Sequence, residues 1–284
     1  MSRKVAPTIE LFVNHRNTVA VQAKKSSPQR AFVLHSYAYK ESSLIVDLFT
    51  VDNGRMAVVA KGAKRPASNL RGALLSLQPI EAIFSGRGEV KTLTQAQWLP
   101  GQPWLTGQAL MCGMYLNELL IKLLPREDPH PQLFETYAAT LLTLAESHEH
   151  SAILREFEIS LLIEMGYALE LKNDVRTGEA LLPDTQYRYD PLAGPSAHGS
   201  GSVVTGNALL SLGRGRFENN AVAAEARDFV RTIINFHLER RTMRSSNVMH
   251  DLHQLSERLD ATPARKTAKA RAAKLTLTME DTAV

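Results

Sequence analysis

The 284-residue chain contains a single cysteine, Cys112. One thiol excludes an intramolecular disulfide and any zinc knuckle built from several cysteines. Long apolar runs are missing too: nowhere do about 18 apolar residues follow one another, so no membrane-spanning helix is predicted. The opening stretch, MSRKVAPTIELFVNHR, has no apolar segment long enough for a signal peptide. A soluble, cytoplasmic protein is therefore expected. Catalytic signatures are also scarce, with no Walker loop, serine–histidine–aspartate pattern or paired-carboxylate motif. The stretch Gly86-Arg87-Gly88-Glu89-Val90 is too short, and lacks the βαβ context, for a dinucleotide loop. Acid is missing from one long interval. Between Asp52 and Glu81 the chain carries Arg55, Lys61, Lys64, Arg65 and Arg71 and no carboxylate.

The totals are less informative than that interval. With 33 basic against 29 acidic side chains, the net charge is only +4. A length of 284 residues with 44% hydrophobic composition suffices for two cores.

Residues 1–29 are mixed in polarity and read as a flexible extension, with one short strand possible at Ile9–Val13. From Arg30 five short runs rich in β-branched and aromatic residues follow: RAFVLHSYAY, SSLIVDLFTV, GRMAVVAKGA, QPIEAIFSG and EVKTLTQAQWL. Turn signals separate them at Lys40-Glu41, Asp52-Asn53-Gly54 and Gly86-Arg87-Gly88. Between the third and fourth runs, Leu70, Ala73, Leu74 and Leu77 have the spacing of a short helix. Five strands with a helix after the third is the plan of an OB-fold barrel, here over residues 30–100.

After Pro100 and Pro103 the periodicity is helical, predicting an all-α domain over residues 104–260. Ala109 to Leu124 is apolar nearly all round, as in a buried helix. Further helices are predicted at Leu133 to Ala145, at ILREFEISLLIEM with Ser151 as N-cap and Gly166 as its stop, at 219–240 and at 246–259. Residues 170–202, rich in proline and glycine, are expected to form a long loop or a small irregular subdomain. Residues 261–284 read as a basic, disordered tail.

Uncompensated cations beside strands suit a single-strand binder, in which a basic groove follows phosphates and aromatic rings stack on bases. The candidates are Arg55, Lys61, Lys64, Arg65 and Arg71, with Arg87 and Lys91 from the last hairpin. Tyr37 and Tyr39 alternate, so they share one face of the first strand. The other reading of these charges is a solvated barrel edge that discourages aggregation. His148 and His150 diverge on a helix and lack a third ligand nearby, so they read as a polar helix–helix turn. Cys112, between Met111 and Gly113 on an apolar helix, reads as a core thiol.

Several of these stretches resemble the RecO family of recombination mediator and DNA repair proteins. They are His35-Ser36, Glu41-Ser42-Ser43, Gly54-Arg55, Val59-Ala60-Lys61-Gly62-Ala63 and Gly86-Arg87-Gly88-Glu89. Farther on, Tyr115-Leu116-Asn117-Glu118-Leu119-Leu120, Phe157-Glu158 with Leu161-Leu162, and Met165-Gly166-Tyr167 extend the resemblance to about residue 260. The chain departs from it in a longer N-terminal extension and in the 170–202 segment. There some members carry a four-cysteine zinc knuckle and this chain has no cysteine, so no metal is expected.

The resemblance implies an OB-fold followed by helices, and binding of single- and double-stranded DNA with annealing of complementary strands. It implies RecR and the single-stranded DNA-binding protein as partners, loading of RecA as the outcome, and a cytoplasmic, nucleoid-associated location. It implies no enzyme activity. The acidic, phenylalanine-ended tail of the single-stranded DNA-binding protein is expected on the helical domain, its carboxylate held by Arg155 or by Arg240, Arg241 and Arg244. Two alternatives are an RNA-binding OB-fold protein of translation or decay, and an enzyme using Glu118, Glu158 and Glu164.

Overall fold

The computed structural model describes residues 26–238 apart from residues 87, 89 and 168. The expected strand at Ile9–Val13, the helix at 246–259, the basic tail, Arg87 and the Arg240, Arg241 and Arg244 group lie outside the described residues.

Five strands, β1 (Gln29–Tyr39), β2 (Ser43–Thr50), β3 (Gly54–Ala60), β4 (Pro79–Ser85) and β5 (Val90–Trp98), close into a barrel in the order β1-β2-β3-β5-β4. The parallel β3–β5 pair closes the ring, with Ala57 to Val59 against Val90 to Thr92. A short helix, α1 (Asn69–Ala73), lies between β3 and β4 and packs on β5. Alternation sorts each strand. Ala31, Val33, Val46, Leu48, Met56, Val58, Ile80 and Phe84 fill the barrel interior.

The opposite face of β1 and β2 is buried as well, because the helices cover it. Phe32 and Phe49 pack against Phe134 and Tyr137, with ring centroids 5.0–6.1 Å apart, in a core shared by both halves of the chain. The Asn117 amide donates to the Leu34 carbonyl at 2.9 Å and accepts from the Tyr137 hydroxyl, so these buried groups of the joint satisfy one another. A register shift between Val33 and His35 then exchanges the faces of β1. Beyond it His35, Tyr37 and Tyr39 are exposed.

The helical region consists of α2 (Gly107–Leu123), α3 (Pro131–Glu146), α4 (His150–Glu164), α5 (Gly206–Arg214) and α6 (Asn220–His237). Glycine lets α2 approach the barrel: a Cβ at Gly113 would lie 2.8 Å from Leu105 Cδ1 and 3.0 Å from Leu77 Cδ1. The start of α4 differs from expectation. Its cap position is Glu149, and the serine that shapes the entry is Ser147, whose hydroxyl accepts from the Glu149 amide at 3.0 Å. Ser151 falls inside the first turn.

Residues 186–205 hold a small antiparallel sheet of β6 (Gln186–Asp190), β7 (Gly194–Ser196) and β8 (Ser202–Thr205), in the order β7-β6-β8. Tyr187 and Tyr189 are buried beneath it, Tyr189 edge-on to Phe229 of α6. The Asp174 carboxylate gathers this lobe. One oxygen accepts from the Arg176 and Thr177 amides at 2.8 and 3.3 Å, and the other from the Ala197 amide at 2.8 Å. Those amides, Ala197 first, hold the Asp174 carboxyl below its ordinary value.

Asp174→Ala is expected to destabilise the chain by about 2 kcal/mol at neutral pH, the scale of a buried charge-assisted cluster losing its acceptor. A depressed carboxyl contributes fully above its unfolded value near 4, and the contribution fades as pH falls through the lower folded value. Denaturant midpoints of wild type and variant should therefore converge as pH falls below about 4. A gap equal at pH 7 and pH 3 would remove the carboxylate from this role.

Candidate nucleic-acid interface

The acid-free interval begins along β3 and turns after Ala60. Gly62, at φ +70°, permits the turn. The loop is then pinned to the β1–β2 turn, since the Lys64 amide donates to the Ser42 carbonyl at 2.9 Å and the Gly62 amide to the Ser43 hydroxyl at 3.4 Å. The β1–β2 turn carries Lys40, itself at φ +51°, with its ammonium 5.3 Å from the Tyr39 ring centroid.

Between these two turns lies an open cleft of about 320 Å³, lined by Tyr39, Lys40, Ser42, Ser43, Val59, Lys61, Gly62 and Arg65. The lining includes cations from both turns and no carboxylate. Lys64, in the same loop, is exposed, and so is Arg71 in the last turn of α1. Tyr37 and Tyr39 are 46% and 36% exposed, with the His35 ring 4.4 Å from that of Tyr37 and the Lys40 ammonium over that of Tyr39. Of the nine residues named for DNA contact, Tyr39, Lys61, Lys64 and Arg65 thus meet at the β1–β2 turn, and Tyr37 stands two residues before Tyr39 on β1.

Two of the others are engaged elsewhere. Arg55 donates from Nε to the Leu124 carbonyl at 3.0 Å and lies 3.7 Å from Asp47 Oδ1, with its side chain only 12% exposed. Lys91 pairs with Glu127. Both serve the joint between barrel and helices, so neither is the uncompensated cation that the linear sequence suggests. Their counter-charges come from β2 and from the α2–α3 connection, which local spacing does not reveal. Conversely, Lys40 belongs to the cleft and was missed. Its signal was a lysine directly after Tyr39 in a turn.

The helical region presents no comparable cluster among the described residues. Glu118 pairs with Lys122 at 2.8 Å, and Glu164 lies 3.4 Å from His130. Glu158 is buried, accepting from the Tyr115 hydroxyl at 2.6 Å and from Arg155 at 2.5 Å. Burial raises its carboxyl above the ordinary value, opposed chiefly by Arg155. The surface clamp expected at Arg155 is therefore not there. The residue is 6% exposed, and an incoming carboxylate would have to displace Glu158. Cys112 is buried, and burial pushes its thiol up to about 11, which suits a core residue and not a nucleophile. No helix among the described residues is long and apolar enough to cross a membrane.

Residues 25–101 match the family model for the N-terminal part of recombination protein O, and residues 105–247 the model for its C-terminal part. Relatives named DNA repair protein RecO include one from Azoarcus sp. (strain BH72), 45% identical over 80% of this chain and 96% of its own length. One from Ralstonia nicotianae is 46% identical over 81% of this chain and 86% of its own. A third, from Nitrosospira multiformis, is 42% identical over 83% and 99%. With both halves matched and a closed barrel preceding a helical region, this chain belongs to the RecO family of DNA repair and recombination proteins.

Proposed function

We propose that this chain acts as a recombination mediator. It binds single- and double-stranded DNA through the barrel, anneals complementary strands and, with RecR, helps to load RecA onto DNA coated by the single-stranded DNA-binding protein. The observation that carries the reading is the acid-free cleft in which Lys40, Lys61 and Arg65 surround an exposed Tyr39. Such a site neutralises phosphates and offers a ring to an unstacked base. Annealing follows from the same charges, because cations lower the repulsion between two backbones brought side by side. The reaction makes no covalent bond, so no enzyme activity is assigned. The protein works in the cytoplasm at the nucleoid. Its contact with the partner's acidic tail is assigned to Arg240, Arg241 and Arg244, since Arg155 is buried.

Lys61→Gln/Lys64→Gln/Arg65→Gln is the test. All three side chains are exposed, so the fold should survive. Binding to every single-stranded sequence should weaken alike. The log–log salt slope should fall by roughly 0.7 per lost contact, about 2 in all, and the annealing rate should drop in the same preparation. An unchanged slope would leave these residues as a solubility device. Tighter binding to RNA than to DNA of equal length would instead favour the RNA-binding alternative.

A further inference from the structure

The outer face of β4 and β5 carries a second groove, of about 610 Å³, whose chemistry is the opposite of the basic cleft. Glu81 stands directly across from Gln97, and Ile83 from Gln95, so the four share one face of the sheet. Asn69 and Leu70 of α1 form the adjoining wall. The lining contains no cation. A lone carboxylate without a cation repels phosphate, so this groove does not continue the backbone track. It combines primary amides, which donate and accept at once, with the apolar side chains of Leu70, Ile83 and Ala96.

We propose that this groove seats unpaired nucleobases of the bound single strand, and that Glu81 selects those with an exocyclic amino group. The inference rests on the DNA-binding reading above. Carboxylates accept from the cytosine N4 amino group, and Asn or Gln amides pair with adenine. Thymine has no exocyclic amino group to donate. The location fits a continuous path. Arg65 of the basic cleft and Asn69 of the groove are four residues apart, so their backbones lie within about 14 Å, a span of two or three nucleotides. Exposed Arg71, two residues beyond Asn69, can hold a phosphate while the bases turn inward over Ile83 and Leu70. Phosphates and bases of one strand would then be held by different residues, as sequence readout requires.

The test compares oligo-dC with oligo-dT of equal length, by fluorescence anisotropy, on the full chain. Wild type should bind oligo-dC on the order of tenfold more tightly. Glu81→Ala/Gln97→Ala, a pair of exposed residues on one face, should bring oligo-dC down to the oligo-dT level and leave the salt slope intact. Glu81→Gln keeps an acceptor oxygen and should lose only part of the preference. The Lys61, Lys64 and Arg65 variant should lose both oligonucleotides equally and keep the ratio. Equal wild-type affinities, or a preference that survives the double variant, would overturn the assignment of bases to this groove while leaving the basic cleft standing. Failure of wild type to bind either oligonucleotide would instead overturn the DNA-binding reading itself.

Discussion

Arg155→Ala is expected to lose about 3–5 kcal/mol of stability, because it strands the Glu158 carboxylate in the helical core. Glu158 is 1% exposed, and it accepts from the Tyr115 hydroxyl and the Arg155 guanidinium. Removing the guanidinium takes away the main influence that keeps a buried carboxyl from rising still further. The urea midpoint should fall by about 1–2 M at neutral pH. The loss should depend on pH in a definite direction. A group whose folded value is raised takes up its proton in the folded chain before the unfolded one, so falling pH stabilises the variant more than wild type. The deficit should therefore be smaller at pH 5 than at pH 8. Glu158→Gln added to Arg155→Ala removes the charge but keeps an acceptor for Tyr115, and should recover more than half of the loss. An Arg155→Ala protein within 1 kcal/mol of wild type, with no pH trend, would mean that water reaches the pair.

The same double variant settles where an acidic tail peptide docks. Arg155→Ala alone confounds stability with binding, whereas Arg155→Ala/Glu158→Gln is expected to fold and to bind a labelled, phenylalanine-ended acidic peptide normally. The Arg240→Ala/Arg241→Ala/Arg244→Ala variant should lose on the order of tenfold in peptide affinity. The reverse pattern would return the clamp to Arg155.

Arg155 shows what a linear reading misses. Its neighbours Glu156 and Glu158 suggest an exposed intrahelical pair, and the pair with Glu158 exists, but on the buried side of α4. Arg55 and Lys91 fail for the same reason: their partners Leu124, Asp47 and Glu127 are supplied by tertiary contact. What alternation and turn residues encode was readable. The five strands and the positive-φ glycine of Asp52-Asn53-Gly54 stand where the pattern puts them, whereas α1 stops at Ala73 and leaves Leu77, at φ +67°, outside the helix its spacing suggests. The β6–β8 sheet was not readable as strands, because β7 is only Gly-Pro-Ser and its order comes from Asp174 and the buried tyrosines. Helix α5 was readable and overlooked. Thr205 caps the Ala208 amide at 3.2 Å, Leu209 and Leu212 are spaced by three, and Gly215 closes it at φ +67°.

Gly54→Ala should cost about 3 kcal/mol, for reasons that separate the joint of the molecule from its DNA-binding end. Gly54 sits at φ +65°, which costs an L-residue about 1–2 kcal/mol. A Cβ there would also lie 1.8 Å from the Asp128 carbonyl oxygen and 2.5 Å from its carbon. Those are backbone atoms and cannot swing aside, so the β2–β3 turn and the α2–α3 connection must separate. Bonds at risk are the Glu127 amide to the Arg55 carbonyl at 2.8 Å and Arg55 Nε to the Leu124 carbonyl at 3.0 Å, each about 1 kcal/mol. Gly62→Ala is the control. Its φ is +70°, but the nearest atoms are Arg65 Cδ and Nε at 3.6 and 3.8 Å, the far part of a flexible side chain. It should show the conformational cost alone, about 1–2 kcal/mol. DNA binding should divide the two differently. Gly54 and Ala60 are opposite ends of β3, about 20 Å apart, so folded Gly54→Ala should keep the wild-type salt slope despite its lower denaturation midpoint. If Gly54→Ala is no less stable than Gly62→Ala, the close approach of Asp128 does not constrain the chain, and the joint must be held by the shared aromatic core instead.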